Sequence, residues 1–316
     1  MQRFVNPPQS EWATILQRPE SDVSGLYESV GSILEEIRKE GDMAVRRYTE
    51  KFDGYAGGDL LVTLQEIERA ETLLSDELKS AIQIAAGNVE KFHASQWQVQ
   101  NKMETQPGVT CWQKSVAIEK VGLYVPGGTA PLFSTVLMLG IPAKIAGCQE
   151  IVLCTPPDKD GKINPAILYA AALAGIRQVF RIGGIQAIGA MAYGTQSVPK
   201  VYKIFGPGNR YVTAAKQLVS LKETAIDMPA GPSEVLVMAD ETANPAFVAA
   251  DLLSQAEHGA GSQVILLTTS PQLLDKTLVE VENQLRVLPR EAGASGALND
   301  SRAILLTSLD EMMQMS

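Results

Sequence analysis

Residues 121–154 read VGLYVPGGTAPLFSTVLMLGIPAKIAGCQEIVLC, and their pattern decides the fold. Val121 to Val125 is a short apolar run that reads as a buried strand, ended by Pro126-Gly127-Gly128. A helical stretch follows to Gly147, and Ile151 to Cys154 reads as the next strand. The alternation continues outward. A helix is expected from Pro165 to Ala174, a strand from Gln178 to Ile182 ending in Gly183-Gly184, and a helix from Ile185 to Tyr193. A strand Lys203–Phe205 then ends in Gly206-Pro207-Gly208 and leads to a helix reaching Ser220. Strands alternating with helices of about ten residues predict a parallel sheet covered by helices on both faces.

Upstream, the chain reads as mostly helical. Leu26, Val30, Ile33, Leu34 and Ile37 recur at helical spacing, Gly41 is the stop, and Asp42 stands where it can cap the next helix. A longer helix starts at Asp76 behind Ser75, with the apolar stripe Leu78, Ile82, Ala85, Val89 and Phe92. Downstream of Glu234 a second α/β set begins with a strand from Val235 to Met238. Asn244 caps a helix that carries Pro245 at its first position and runs to His258, with Gly259 as the stop. A strand Gln263–Thr268, an amphipathic helix Gln272–Leu285 and a strand Ala303–Thr307 follow. Ser308 and Glu311 form a capping-box pattern, and Leu309, Met312 and Met313 open an apolar face. The sequence stops at Ser316 with barely two turns formed, which reads as a chain cut inside a domain. Exposed apolar surface is expected near Leu309 and Met312.

The 316 residues are 45% apolar and 20% charged, ordinary for a chain that buries a large core. The net charge of -9 gives no general attraction for phosphate backbones or anionic lipid, so nucleic-acid and membrane partners are set aside. The longest apolar run, Leu132 to Ala146, is interrupted by Pro142 and Lys144 and is too short to span a bilayer. Cys111, Cys148 and Cys154 form no CxxC pair. An odd count without a secretory signal points to reduced thiols and a cytoplasmic location.

Three glycine-rich turns lie at the carboxyl ends of expected parallel strands: Pro126-Gly127-Gly128-Thr129, Gly183-Gly184-Ile185-Gln186 and Gly206-Pro207-Gly208-Asn209. Ligands of open α/β sheets bind at that edge, where backbone N–H groups and helix N-termini face the crevice. None is GxGxxG, so each could also be only a tight strand-to-helix turn. Three on one edge, two carrying an amide side chain, favour a polar ligand. A fourth turn, Asp227 to Glu234, joins the two α/β sets, either as a rigid linker or as a place that turns Ser233 and Glu234 toward an inter-domain cleft. Gln255 and His258 stand three apart and share a face at the last turn of their helix, a pair that could ligate a metal or simply end a helix. His93, on the long early helix, reads as structural. Cys154 ends a strand near the crevice but has no adjacent base, so it reads as a small buried apolar residue rather than a nucleophile.

The segments VGLYVPGGTAPLFSTVLML (121–139), GGIQAIGAMAYGTQ (183–196), KIFGPGNR (203–210), IDMPAGPSEVLVM (226–238) and DLLSQAEHG (251–259) together resemble the histidinol dehydrogenase family, in order along the whole chain. The resemblance implies two Rossmann-like parallel-sheet units, one inserted in the other, with a helical N-terminal segment, an aldehyde-dehydrogenase-like α/β architecture. The implied division is an N-terminal arm (1–20), the first part of a substrate and zinc domain (21–123), an inserted NAD-binding domain (124–231) and the second part of the substrate and zinc domain (232–316). It implies Tyr124, Gln186 and Asn209 at NAD, Ser233, Gln255 and His258 at the substrate, and Gln255 and His258 as two zinc ligands.

The implied activity is zinc-dependent, four-electron oxidation of L-histidinol to L-histidine with two NAD, in a homodimer. The family's proton-handling Glu-His pair, its remaining zinc ligands and a further substrate glutamate fall beyond position 316. No catalytic residue is therefore assigned within these 316 residues, and weak zinc binding and no turnover are expected of them. The alternative is a catalytically silent fragment that retains at most NAD binding.

Overall fold

The computed structural model describes all residues except 19–23, 98–100, 128–130, 230–232, 260 and 290. Gly128 and Thr129 of the first glycine turn, and Ala230, Gly231 and Pro232 of the fourth, lie outside the described residues. The chain divides into two compact units, one built from Met1–Asp22 with Gly231–Ser316 and the other from Val23–Ala230. The second unit is thus a continuous stretch inserted in the first.

The chain opens with β1 (Gln2–Val5) and the one-turn helix α1 (Trp12–Ile15). The inserted unit begins with α2 (Tyr27–Glu40), α3 (Asp42–Asp53), α4 (Leu64–Arg69) and α5 (Asp76–Ala94). A hairpin of β2 (Lys102–Gln106) and β3 (Val109–Trp112) follows. Then come β4 (Lys120–Tyr124), α6 (Phe133–Ala146), β5 (Glu150–Thr155), α7 (Pro165–Leu173), β6 (Gln178–Arg181) and α8 (Gly184–Tyr193). β7 (Lys203–Phe205), α9 (Arg210–Ser220) and β8 (Ala225–Ile226) complete it.

The five strands β4 to β8 form one sheet in the order β6-β5-β4-β7-β8, with every pair parallel. The order turns back between β4 and β7, which makes that boundary a topological switch point. Both faces are buried, which is why the strands read as continuous apolar runs. On one face Tyr124, Cys154, Phe180 and Ile204 pack with α8 and α9. On the other, Leu123, Val125, Leu153 and Val179 pack with α6 and α7.

The early helices cover the same two faces. Val30, Leu34, Ile37, Val45 and Tyr48 of α2 and α3 join the first core, and Ile67 and Ile82 of α4 and α5 join the second. This differs from the sequence reading, which placed residues 21–123 with the C-terminal α/β set. An amphipathic stripe shows that a helix needs a partner but does not name which sheet supplies it. Asp42 also departs from expectation. Gly41 is the N-cap of α3, while the Asp42 carboxylate accepts from Ser197 N at 3.2 Å and from the Ser197 hydroxyl.

The other unit continues with β9 (Val235–Ala239), α10 (Pro245–Ala256), β10 (Val264–Thr268), α11 (Pro271–Leu285), α12 (Glu291–Asn299), β11 (Arg302–Leu305) and α13 (Leu309–Met315). Its sheet runs β1-β11-β10-β9, all parallel. Residues expected as an N-terminal arm therefore supply a strand, with Gln2 opposite Arg302 and Val5 opposite Leu305.

Helices α10 to α12 bury one face of this sheet. On the other, Trp12 and Ile15 of α1 pack with Met312 and Met315 of α13 over Ile265, Leu267 and Ile304. Met312 is buried, contrary to expectation, while Leu309 and Met313 are exposed. Ser308 caps α13 by accepting from Glu311 N at 3.2 Å, and Glu311 reaches back to Thr307 N at 2.9 Å, one residue earlier than a standard box.

Candidate functional site

The carboxyl ends of β4, β5, β6 and β7 open onto a cavity of about 1550 Å³ in the inserted unit. Tyr124, Asn209 and Gly184 line it, together with Pro156 and Asp53. Gly206 brings two of these strand ends together. Its φ of +127° is a glycine conformation, and a Cβ on it would lie 2.0 Å from the Tyr124 carbonyl oxygen. Only a bare Cα lets the turn after β7 cross so close to the end of β4. Lys216, 5% exposed, donates to Gly206 O at 2.7 Å and pairs with Asp227, whose other oxygen accepts from Gly206 N at 2.8 Å. That clamp fixes both sides of the turn. Asn209 then caps α9, its Oδ1 accepting from Tyr211 N at 3.0 Å and Val212 N at 3.1 Å.

The Tyr124 hydroxyl accepts from Gly184 N at 3.1 Å. Burial pushes its pKa up to about 12, so the ring keeps its proton across the physiological range. Gln186, in the first turn of α8, is fully buried directly beneath Gly184 of the cavity wall, its Oε1 3.0 Å from where a Cβ on Gly184 would be. Its Nε2 donates to Asp53 Oδ2 at 3.0 Å, and its Oε1 has no partner among the described residues. Arg181 is committed elsewhere: its guanidinium donates to Gly161 O at 2.6 Å and Leu61 O at 2.7 Å and pairs with Glu66.

Sequence reasoning missed Asp53. It is the last residue of α3, where a negative charge opposes the helix dipole. An acid at that position is the signal that something outside the helix holds it.

In the other unit, Gln255 is in the last turn of α10, which ends at Ala256 with Glu257 as C-cap. His258 thus lies in the turn beyond the helix rather than on its last turn, and it is exposed. Gln255 Nε2 donates to Ser233 O at 3.2 Å, so these two expected substrate residues are brought together.

The expectation of zinc is corrected. A structural or catalytic zinc needs three or four N, S or O ligands, and among the described residues no group of three or more His, Cys, Asp or Glu side chains could hold a metal ion. Gln255 and His258 are accordingly not carried forward as zinc ligands. The cysteines also fall away as nucleophiles: Cys154 is wholly buried, and burial pushes the thiols of Cys154 and Cys148 up. Among the described residues, no helix is long and apolar enough to cross a membrane.

A parallel sheet with a cavity over its switch point is the arrangement of dinucleotide-binding α/β proteins. The family profile for histidinol dehydrogenase matches residues 16–316. The histidinol dehydrogenase of Bacteroides thetaiotaomicron is 61% identical over 316 residues, all of this chain and 74% of that protein. That of Bacteroides fragilis is 59% identical over the same span. The crystal structure of histidinol dehydrogenase from Elizabethkingia anophelis superposes with a TM-score of 0.97 at 58% identity, covering 100% of this chain and 73% of that one. The chain belongs to the histidinol dehydrogenase family.

Proposed function

We propose that this protein oxidises L-histidinol to L-histidine with NAD as the electron acceptor. The superposition at 58% identity over the whole chain on a histidinol dehydrogenase carries the reading. Converting an alcohol to a carboxylate removes four electrons. NAD, when bound, takes them as a hydride in each of two oxidations, so two are consumed per histidinol.

The residues fit a dinucleotide. The cavity is roomy, the Tyr124 hydroxyl keeps a proton to donate, and Gln186 Oε1 is a buried acceptor awaiting a donor. In this reading Tyr124, Gln186 and Asn209 hold the cofactor. Ser233, Gln255 and His258 bind the substrate, with the Gln255–Ser233 contact setting their spacing.

A cytoplasmic location and a homodimer belong to the same reading. Three unpaired cysteines support the first. The second is supported by the hairpin of β2 and β3, whose residues are exposed on both faces and include Met103, Val109 and Trp112.

The test is NADH formation followed by absorbance. Two NADH per histidinol consumed, with histidine as product, is the result this reading requires, in place of the absent turnover expected from the sequence alone. No histidinol-dependent NADH, with NAD binding retained, would instead select the silent-fragment reading. Asn209→Ala should remove a helix cap and about 1 kcal/mol of stability, and should weaken NAD binding as well. A variant that loses stability but binds NAD normally would reduce Asn209 to a cap.

A further inference from the structure

Asp53 stands where the parts of the dinucleotide site are tied together. Its Oδ2 accepts from Gly183 N at 3.3 Å and from Gln186 Nε2 at 3.0 Å. The next N–H of the turn, on Gly184, donates to the Tyr124 hydroxyl. Turn and carboxylate are in direct contact, since a Cβ on Gly183 would come within 2.7 Å of Asp53 Oδ1.

An amide side chain has a donor end and an acceptor end, exchanged by a half-turn. An ionised carboxylate only accepts, so it selects the donor end of Gln186 and leaves Oε1 free. That oxygen is buried without a partner among the described residues. It lies beneath Gly184 on the cavity wall, 3.0 Å from where a Cβ would be. An orphaned buried acceptor carries an uncompensated desolvation cost, which a ligand's N–H or O–H would relieve.

We propose that Asp53 is a positioning residue of the dinucleotide site, holding the Gln186 amide so that its carbonyl oxygen is left to accept from a donor on the cofactor. The inference rests on the NAD reading given above. Burial pushes the Asp53 carboxyl up to about 6, against the opposing hydrogen bonds from Gly183 and Gln186. Once protonated, the carboxyl can donate, and it no longer selects one end of the amide.

The ionisable groups around it are Tyr124 from β4 and, along the same cavity, Glu66, Arg69, Asp158, Lys162 and Arg181. Tyr124 is held neutral by burial. Glu66, although burial opposes it, is kept below the usual carboxylate range by hydrogen bonds from Arg181 and Thr63. Neither changes charge near pH 6.

The experiment titrates NAD into the wild-type chain and into Asp53→Asn and Gln186→Ala between pH 5 and 8. Asn keeps the shape of Asp but offers both a donor and an acceptor. At pH 7.5, Asp53→Asn should bind NAD about tenfold more weakly, the difference between a charge-assisted and a neutral hydrogen bond. Wild-type affinity should fall toward the variant's as pH drops through 6, and the variant should show no such step. ADP-ribose in place of NAD separates the two sources of the donor. An equal loss with both ligands points to a ribose hydroxyl, and a loss with NAD alone points to the carboxamide; either supports the proposal.

Stability provides a readout that a merely structural residue would not give. With its pKa raised in the fold, Asp53 binds its proton more tightly folded than unfolded, so its ionisation lowers stability as pH rises from about 4 to 6. Asp53→Asn should therefore melt no lower than wild type at pH 7.5. If wild type does not bind NAD, or Gln186→Ala binds it unchanged, the site reading fails and this inference with it. If Gln186→Ala weakens binding and Asp53→Asn does not at any pH, the site stands and the role of Asp53 is overturned.

Discussion

Gly206→Ala should lose on the order of 3–5 kcal/mol of folding stability and all measurable NAD binding. Two independent penalties add. The backbone at φ +127° is one that L-residues rarely adopt, and the added methyl would sit 2.0 Å from the Tyr124 carbonyl oxygen. Backbone cannot swing aside as a side chain can. The turn would have to retreat from β4, carrying Asn209 away from Tyr124 and prying the sheet apart at its switch point. Denaturant midpoints measure the stability loss and NAD titration the binding loss. Gly87→Ala is the control. Gly87 lies on the exposed side of α5 with nothing within 4 Å of its would-be Cβ, so alanine there should stabilise by about 0.5–1 kcal/mol. A Gly206→Ala variant as stable as wild type would show that the close approach is not what holds the turn.

Lys216→Met should cost about 3 kcal/mol, for a different reason. The ammonium is nearly buried and holds the Gly206 carbonyl and the Asp227 carboxylate together. Without it, Asp227 keeps its bond from Gly206 N but loses its counter-charge, and Gly206 O loses its donor. Leaving one charge of a buried pair unmatched is worse than removing both. The double variant Lys216→Met with Asp227→Asn should therefore regain a good part of the loss, because Asn can still accept from Gly206 N. A double variant that is merely the sum of two single losses would mean that the charges are not coupled.

The strands and crossover helices were legible because local pattern dictates them. Apolar runs between glycine turns mark β4 to β7, and the Ser75 and Asn244 caps open their helices where such residues should. Tyr124 and Asn209 were assigned to NAD only through the resemblance, and the structure brings both to the wall of one cavity. What escaped depends on contacts distant in sequence. The stripes of α2 and α5 do not say which sheet they cover. Asp53 meets Gln186 across 133 positions, and no spacing rule spans that distance. The expected His258 ligand position failed more locally: α10 stops two residues short of it, and the pair with Gln255 no longer shares a helical face.

The pairing of β1 with β11 has a consequence for how the protein is made. Gln2 to Val5 are synthesised 300 positions before their partners, Arg302 to Leu305. Chains emerge at roughly 5–20 residues per second, and domains fold as units while they do. The stretch from Val23 to Ala230 contains its whole sheet and both of its cores, so it can fold on the growing chain. The opening strand must meanwhile wait unpaired, for about 15 seconds or more at those rates. Closing this sheet therefore depends on an early strand finding a partner made 300 positions later.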